Sequence, residues 1–441
     1  MASSDRLTPL DSSFLHLEDG ASHMHVAAVL VFDGPPPDYE DFVRYVERRL
    51  HLVPRYRQKL AEVPLAQARP RWVDDEGFDL RFHVRNTALP EPGSEEELRT
   101  LAARVFSQQL SRARPLWEMW LVQGLEGGRR FAVISKTHHA VVDGIAGVDL
   151  IAALFAPEEQ ADDEPWRPQR PPSKAELLQE ALIERATAPA EIVRTARSVL
   201  RGPKRVVQRA AGLGAMALRG LSPAPRSPYN QDVVGPDRRF SWVRASLEDF
   251  KAIKNSLDGT VNDVVLTVVA RALRRHSLRR GHEVDELRAF VPVSIRSDDH
   301  RGEAGNEVAG MIVRLPISCS DPVICFQRIS DETKDAKASG QALGAQALTD
   351  LSGFAPPTLL DQGARLVARQ RFVNLVVTNV PGPQQPLHMG ESELLEFFPL
   401  VPLGKNLTLN FAVLSYNGRI FFGLVGDFDA VPDLDDLVED V

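Results

Sequence analysis

Between Phe131 and Phe155 the chain changes from one periodicity to another within a few residues. Phe131-Ala132-Val133-Ile134-Ser135 is an apolar run of strand length. Ile145, Val148, Ile151, Ala152 and Phe155 then recur at helical spacing. The connection is His138-His139-Ala140-Val141-Val142-Asp143-Gly144. A strand passing through a short turn into a helix points to a layered α/β architecture. A turn held between two rigid elements is also where reactive groups are displayed. A histidine there accepts a proton near neutral pH, and Gly144 permits a tight turn or a close approach to a ligand.

Taken alone, adjacent histidines at a strand end are ordinary polar end residues. A metal site is poorly supported: His139 and Asp143 are four apart, but no further His, Cys or Glu nearby completes a ligand set. A general base fits the pattern better. The 441 residues are too many for one ordinary core, so two domains are expected. The net charge of −8 gives no reason to expect a nucleic-acid partner. The first 25 residues include Asp5, Arg6, Asp11, Glu18 and Asp19 and hold no signal-peptide core. No apolar run is long enough to span a bilayer. These features predict a cytoplasmic protein, with reduced Cys319 and Cys325.

Three regions follow from the patterning: an N-terminal domain over 1–156, a linker over 157–236 and a C-terminal domain over 237–441. In the first, strands are predicted at His25–Asp33, Glu118–Leu125 and Arg130–Lys136. Ser94-Glu95-Glu96-Glu97 is a capping-box start for a helix. In the linker, Ile192–Arg226 holds eight basic residues, no acidic one, and interleaved apolar residues. In the third region, Thr260 leads a helix, and strands are predicted at Phe240–Ser246, Leu287–Ile295, Met311–Leu315 and Phe372–Asn379. A hairpin turns at Asn417-Gly418.

Several stretches fall in one recognisable order. They are Leu10 to Glu18, Pro115-Leu116-Trp117, His138 to Gly144, Asn262-Asp263, Pro292 to Arg296, Asn306-Glu307 and Asn379 to Pro383. In this combination the chain resembles the bacterial wax ester synthase/diacylglycerol acyltransferases, a branch of the coenzyme-A-dependent acyltransferase superfamily. The resemblance covers nearly the whole chain. It implies two chloramphenicol-acetyltransferase-like sandwich domains with the active site in a tunnel between them. It implies transfer of an acyl group from acyl-CoA to a long-chain alcohol or diacylglycerol, with His139 as the base and no cofactor. A membrane or lipid-droplet surface is then the expected partner, and the basic stretch is the candidate contact.

The chemistry agrees. Esterification by a thioester needs a base for the hydroxyl proton and donors for the tetrahedral oxyanion. No Gly-x-Ser-x-Gly elbow is present and neither cysteine lies in a motif, so direct transfer is expected. Asp143 either orients His139 or, as in the wider superfamily, pairs with an arginine; Arg296 is the candidate partner, and the ion pair is favoured. His138 is expected to pack and hydrogen-bond. Asn262 and Asp263 are either helix caps or site supports. Thr378 is the candidate oxyanion donor, beside Asn379. Two other readings remain at this point: a condensation-type enzyme using carrier-bound substrates, and a non-catalytic lipid-binding protein.

Overall fold

A computed structural model describes residues 6–142, 144–156, 166–184, 223–231, 235–294, 308–338 and 371–441. The first sheet is built on β1 (His25–Asp33), β4 (Val84–Ala88), β5 (Trp117–Leu125) and β6 (Arg130–His138). The short β2 (Gln58–Ala61) and β3 (Arg71–Asp74) form a separate antiparallel hairpin. The second sheet runs β7 (Arg238–Ser246), β14 (Arg419–Asp427), β13 (Leu409–Tyr416), β10 (Leu375–Pro381), β8 (Leu287–Ser294), β9 (Val308–Leu315). The alternating layers agree with the α/β expectation.

The division at 237–441 is corrected in one respect. β11 (His388–Met389) and β12 (Ser392–Leu400) belong to the first sheet, whose order is β11-β12-β1-β6-β5-β4. β12 pairs antiparallel with β1, Val29 opposite Phe398 and Leu30 opposite Phe397. Leu394, Phe397, Phe398 and Leu400 thereby enter the first core. The crossing is close. A Cβ on Gly423 of β14 would fall 1.8 Å from the Pro399 carbonyl oxygen, so only glycine fits there.

Where the expected linker 157–236 is described, it packs against the folded units. Trp166 packs edge-on against Phe78 and lies under Arg57. The helix at 174–184 buries Leu177 and Ala181. Tyr229 is fully buried in the second core. Its hydroxyl meets His276 Nδ1 at 2.9 Å and Ser277 Oγ at 3.2 Å. Most of the basic stretch, residues 192–222, lies outside the described residues.

Local rules account for the helices. Ser94 and Glu97 form the expected capping box on the Glu95–Ser107 helix. At the other end of that helix Lys136 of β6, buried, donates to the carbonyls of Val105 at 2.7 Å and Gln108 at 2.8 Å. A cation there satisfies terminal carbonyls and opposes the helix dipole. Its partner Glu118, across the sheet from it, lies 2.5 Å away.

Candidate active site

The histidine turn begins where β6 ends, and each of its first four backbone N–H groups has an acceptor. His138 N–H donates to the Leu116 carbonyl at 2.9 Å, and His139 N–H to the Met24 carbonyl at 2.8 Å. Ala140 N–H donates to His138 Nδ1 at 3.0 Å. Val141 N–H donates to the His138 carbonyl at 2.9 Å. Buried polar backbone must be paired, so this turn is held in one shape. The Pro115-Leu116-Trp117 tripeptide has a packing role. Leu116 anchors His138, while Trp117 stacks on Tyr56 with centroids 4.2 Å apart and donates to the Tyr56 carbonyl.

The two histidines differ in kind. His138 is buried. Its Nδ1 is occupied as an acceptor, so in the neutral ring the proton sits on Nε2. That nitrogen faces Glu18 Oε1 at 3.5 Å. His139 is half-buried and lies flat on Phe14, ring centroids 4.0 Å apart and planes 21° apart. His138 is thus held by burial, by the Ala140 N–H and by Glu18.

Glu18 and Phe14 are the two residues that reading for chemistry passed over, although both lie in the Leu10 to Glu18 stretch. The Pro9–Leu17 helix, capped by Thr8, carries Phe14 onto His139 and ends at Glu18. The Glu18 carboxylate is buried. It accepts from Arg112 at 2.8 Å and from the Met24 N–H at 3.3 Å, and lies 3.4 Å from His25 Nε2. Burial would raise its pKa, but His138, His25 and Arg112 together outweigh that and hold it well below the usual carboxylate range. His25 sits directly across from His138 in the β1–β6 ladder. Burial pushes its pKa down to about 4, against the pull of Glu18 and with Lys136 and His138 adding to the fall. The only advance signal for Glu18 was its place in the opening motif.

In the second half the predicted residues separate. Asp263 completes a capping box with Thr260 on the Val261–Arg279 helix, and its other oxygen accepts from Thr333 at 2.7 Å. That is the cap reading, and it leaves Asp263 fully used. Asn262, one residue earlier, meets Asn379 instead: Asn379 Nδ2 to Asn262 Oδ1 is 3.5 Å. Strand alternation sends Thr378 and Asn379 to opposite faces of β10. Thr378 shares its face with Val380, which packs against the first core, whereas Val377 on the Asn379 face lies in the second. The Gly144–Leu154 helix, which starts at the last residue of the motif, packs against β10. Asp143, Arg296, Asn306 and Glu307 lie outside the described residues. A cleft of about 400 Å³ beside Arg71, Trp72 and Glu180 does not include His139 in its wall.

The comparisons with known proteins bear on the whole chain. Residues 7–265 match the model of the wax ester synthase/diacylglycerol acyltransferase catalytic domain, and residues 304–441 match that of the family's C-terminal domain. A probable diacylglycerol O-acyltransferase of Mycobacterium tuberculosis is 33% identical over 446 residues, covering 99% of this chain and 94% of that protein. A second one from the same organism is 35% identical over 449 residues, covering 98% and 96%. The solved wax ester synthase/diacylglycerol acyltransferase from Marinobacter aquaeolei VT8 superposes with a TM-score of 0.68 at 26% identity, covering 99% of this chain and 96% of that one. The first condensation domain of the calcium-dependent antibiotic synthetase shares the fold, with a TM-score of 0.61 at 15% identity, covering 100% and 96%. No helix among the described residues is long and apolar enough to cross a membrane. With both domain models matched in order along a chain whose histidine turn is built as described, the protein is an O-acyltransferase that belongs to the wax ester synthase/diacylglycerol acyltransferase family.

Proposed function

We propose that this enzyme transfers an acyl group from acyl-CoA directly to a long-chain alcohol or diacylglycerol, with His139 as general base and no acyl-enzyme. The observation that carries the assignment is the different commitment of the two histidines. His138 spends Nδ1 on the Ala140 N–H and turns Nε2 to Glu18, which leaves His139, stacked on Phe14, as the base. In the proposed step His139 takes the hydroxyl proton as the alcohol oxygen attacks the thioester carbonyl carbon. The carbonyl becomes a tetrahedral oxyanion, for which Thr378 is the candidate donor. The oxyanion collapses, the carbon–sulfur bond breaks, and the imidazolium returns its proton to the departing thiolate. The route uses side chains and the two substrates alone.

The reacting centre is assigned to a passage between the two halves. Its support is the motif helix packed on β10, with Thr378 on the strand face turned toward the first half. The relatives' names favour diacylglycerol as an acceptor. Membrane or lipid-droplet contact through the basic stretch at 192–226 is part of the same reading, because both acceptors gather in lipid. The test is release of free thiol from palmitoyl-CoA with hexadecanol, with dioleoylglycerol, and with neither. Acceptor-dependent release is expected, and tight lipid binding without turnover would sink the reading.

A further inference from the structure

Arg69 is half-buried, and among the described residues no hydrogen bond or ion pair ends on its guanidinium. Burial pushes its pKa down; Glu184 and Asp11 oppose this through space and Arg6 adds to it. A desolvated charge without a bonded counter-ion is costly, so its surroundings need a reason.

Those surroundings are more arginine. The Arg6-Leu7 segment lies antiparallel along the start of β3: Arg6 bridges to Arg71, and Leu7 N–H donates to the Pro70 carbonyl at 3.1 Å. Arg69 and Arg71 are two apart on an extended segment, and Arg6 is paired across from Arg71. The three therefore share one face. Like charges so placed repel.

Two glutamates from elsewhere relieve the repulsion. On the helix at 174–184, Glu180 meets Arg71 at 2.5 Å and Glu184 meets Arg6 at 3.0 Å. Glu180 and Glu184 are four apart and so lie on one side of that helix. The arginines are 19% and 14% exposed and the glutamates 47% each. The arginines are thus held from below, and the acids rest on top of them. Exposed carboxylates in such pairs exchange at little cost. Glu180 and Glu184 contact Arg71 and Arg6, whereas Arg69 feels Glu184 and Asp11 only through space.

The strip also stands close to the reaction turn. Trp72, next to Arg71, packs in one cluster with Leu7, Leu15 and Ala140, the neighbour of His139. The Pro9–Leu17 helix leads from Arg6 to Phe14 on His139, and nine residues span only about 13 Å.

We propose that Arg6, Arg69 and Arg71 form a binding strip for the phosphates of the coenzyme A portion of the acyl donor, and that Glu180 and Glu184 are resident counter-ions that those phosphates displace. Guanidinium pairs with carboxylate and with phosphate alike through two parallel hydrogen bonds, but a phosphate carries further oxygens that can serve a neighbouring arginine as well. This inference rests on the acyl-CoA reading above.

The test compares donors with and without phosphates. Arg69→Gln should raise KM for palmitoyl-CoA about tenfold, the loss of roughly one charge-assisted contact, with kcat nearly unchanged. KM for palmitoyl-pantetheine, which lacks the phosphates, should not move. Arg69→Lys should fall between, and thermal melts would confirm that both variants fold. Glu180→Gln/Glu184→Gln should tighten the binding of free coenzyme A measured by calorimetry. Equal loss for both donors, or weaker coenzyme A binding in the glutamine double variant, would overturn the proposal. Calorimetry needs no turnover, so coenzyme A binding that depends on Arg69 in a protein without acyl transfer would sustain the strip and remove the function reading. If Arg69→Gln kept coenzyme A but no longer sedimented with phosphatidylglycerol vesicles, the strip would belong to lipid phosphate, and the proposal would fall.

Discussion

Phe14 lies flat against the His139 ring, with centroids 4.0 Å apart, although 125 positions of sequence separate them. The stacked face sets the ring's plane, and the Met24 carbonyl sets its backbone. His139→Ala should therefore fold normally and lose about a hundred- to ten-thousandfold in kcat. Phe14→Ala should keep the base but loosen it, costing about tenfold, within the range for a stacked aromatic pair. Steady-state rates with palmitoyl-CoA and hexadecanol, beside thermal melts, check both. A larger loss in His138→Ala than in His139→Ala would reverse the assignment of the base.

Glu18 is expected to act through position. Glu18→Gln keeps the shape but removes the charge facing His138, His25 and Arg112. Removing one partner from a buried charged cluster costs roughly 3–5 kcal/mol. The variant should melt earlier and lose activity, whereas Arg112→Gln, at the exposed rim of the cluster, should do less of both. Equal melting temperatures for wild type and Glu18→Gln would contradict the buried cluster.

The same cluster sets a pH dependence. His25 is neutral in the fold with a pKa near 4, and near 6.5 when unfolded. Between those values the unfolded chain binds the extra proton, so stability rises with pH across this window and is lost as pH falls through it. The loss from this residue is about 3 kcal/mol from pH 6.5 to 4. Glu18 adds to acid lability only below the ordinary carboxylate range, because its pKa is lowered. Urea melts at pH 4.5 and 7, compared between wild type and His25→Gln, should show a smaller pH effect in the variant.

Asp143 and Arg296 are still proposed as an ion pair. If buried, each single alanine variant should cost roughly 3–5 kcal/mol and the double variant less than their sum. Unchanged stability with lost activity in Asp143→Ala would instead assign the aspartate to orienting His139.

The basic stretch predicts salt-sensitive membrane binding. Sedimentation should require anionic vesicles, weaken with salt, and drop when Arg201, Lys204, Arg205 and Arg209 become glutamine, each basic residue contributing about 1 kcal/mol near the surface. Undiminished binding in that variant would move the contact elsewhere.

Much of this was legible before any coordinates. β1 runs over the nine residues expected from the sequence, the Ser94 capping box forms, and the hairpin turns at Asn417-Gly418. Each is written in local spacing or in a residue with one preferred backbone geometry. The histidine motif and its place after a strand were equally plain, and so was the family. What local pattern does not carry is the choice of partner across long separations. Ser392–Leu400 has the residues of a buried strand, but only the packing of Phe397 and Phe398 beside β1 sends it to the first sheet. Asn262 and Asp263 look alike as helix-start residues; tertiary structure gives one to a cap and the other to Asn379. Nothing in the local spacing around Glu18 marks it for burial; folding places it against two histidines and an arginine. Spacing along the chain decides which elements form, and burial of their faces against one another decides which side chains meet.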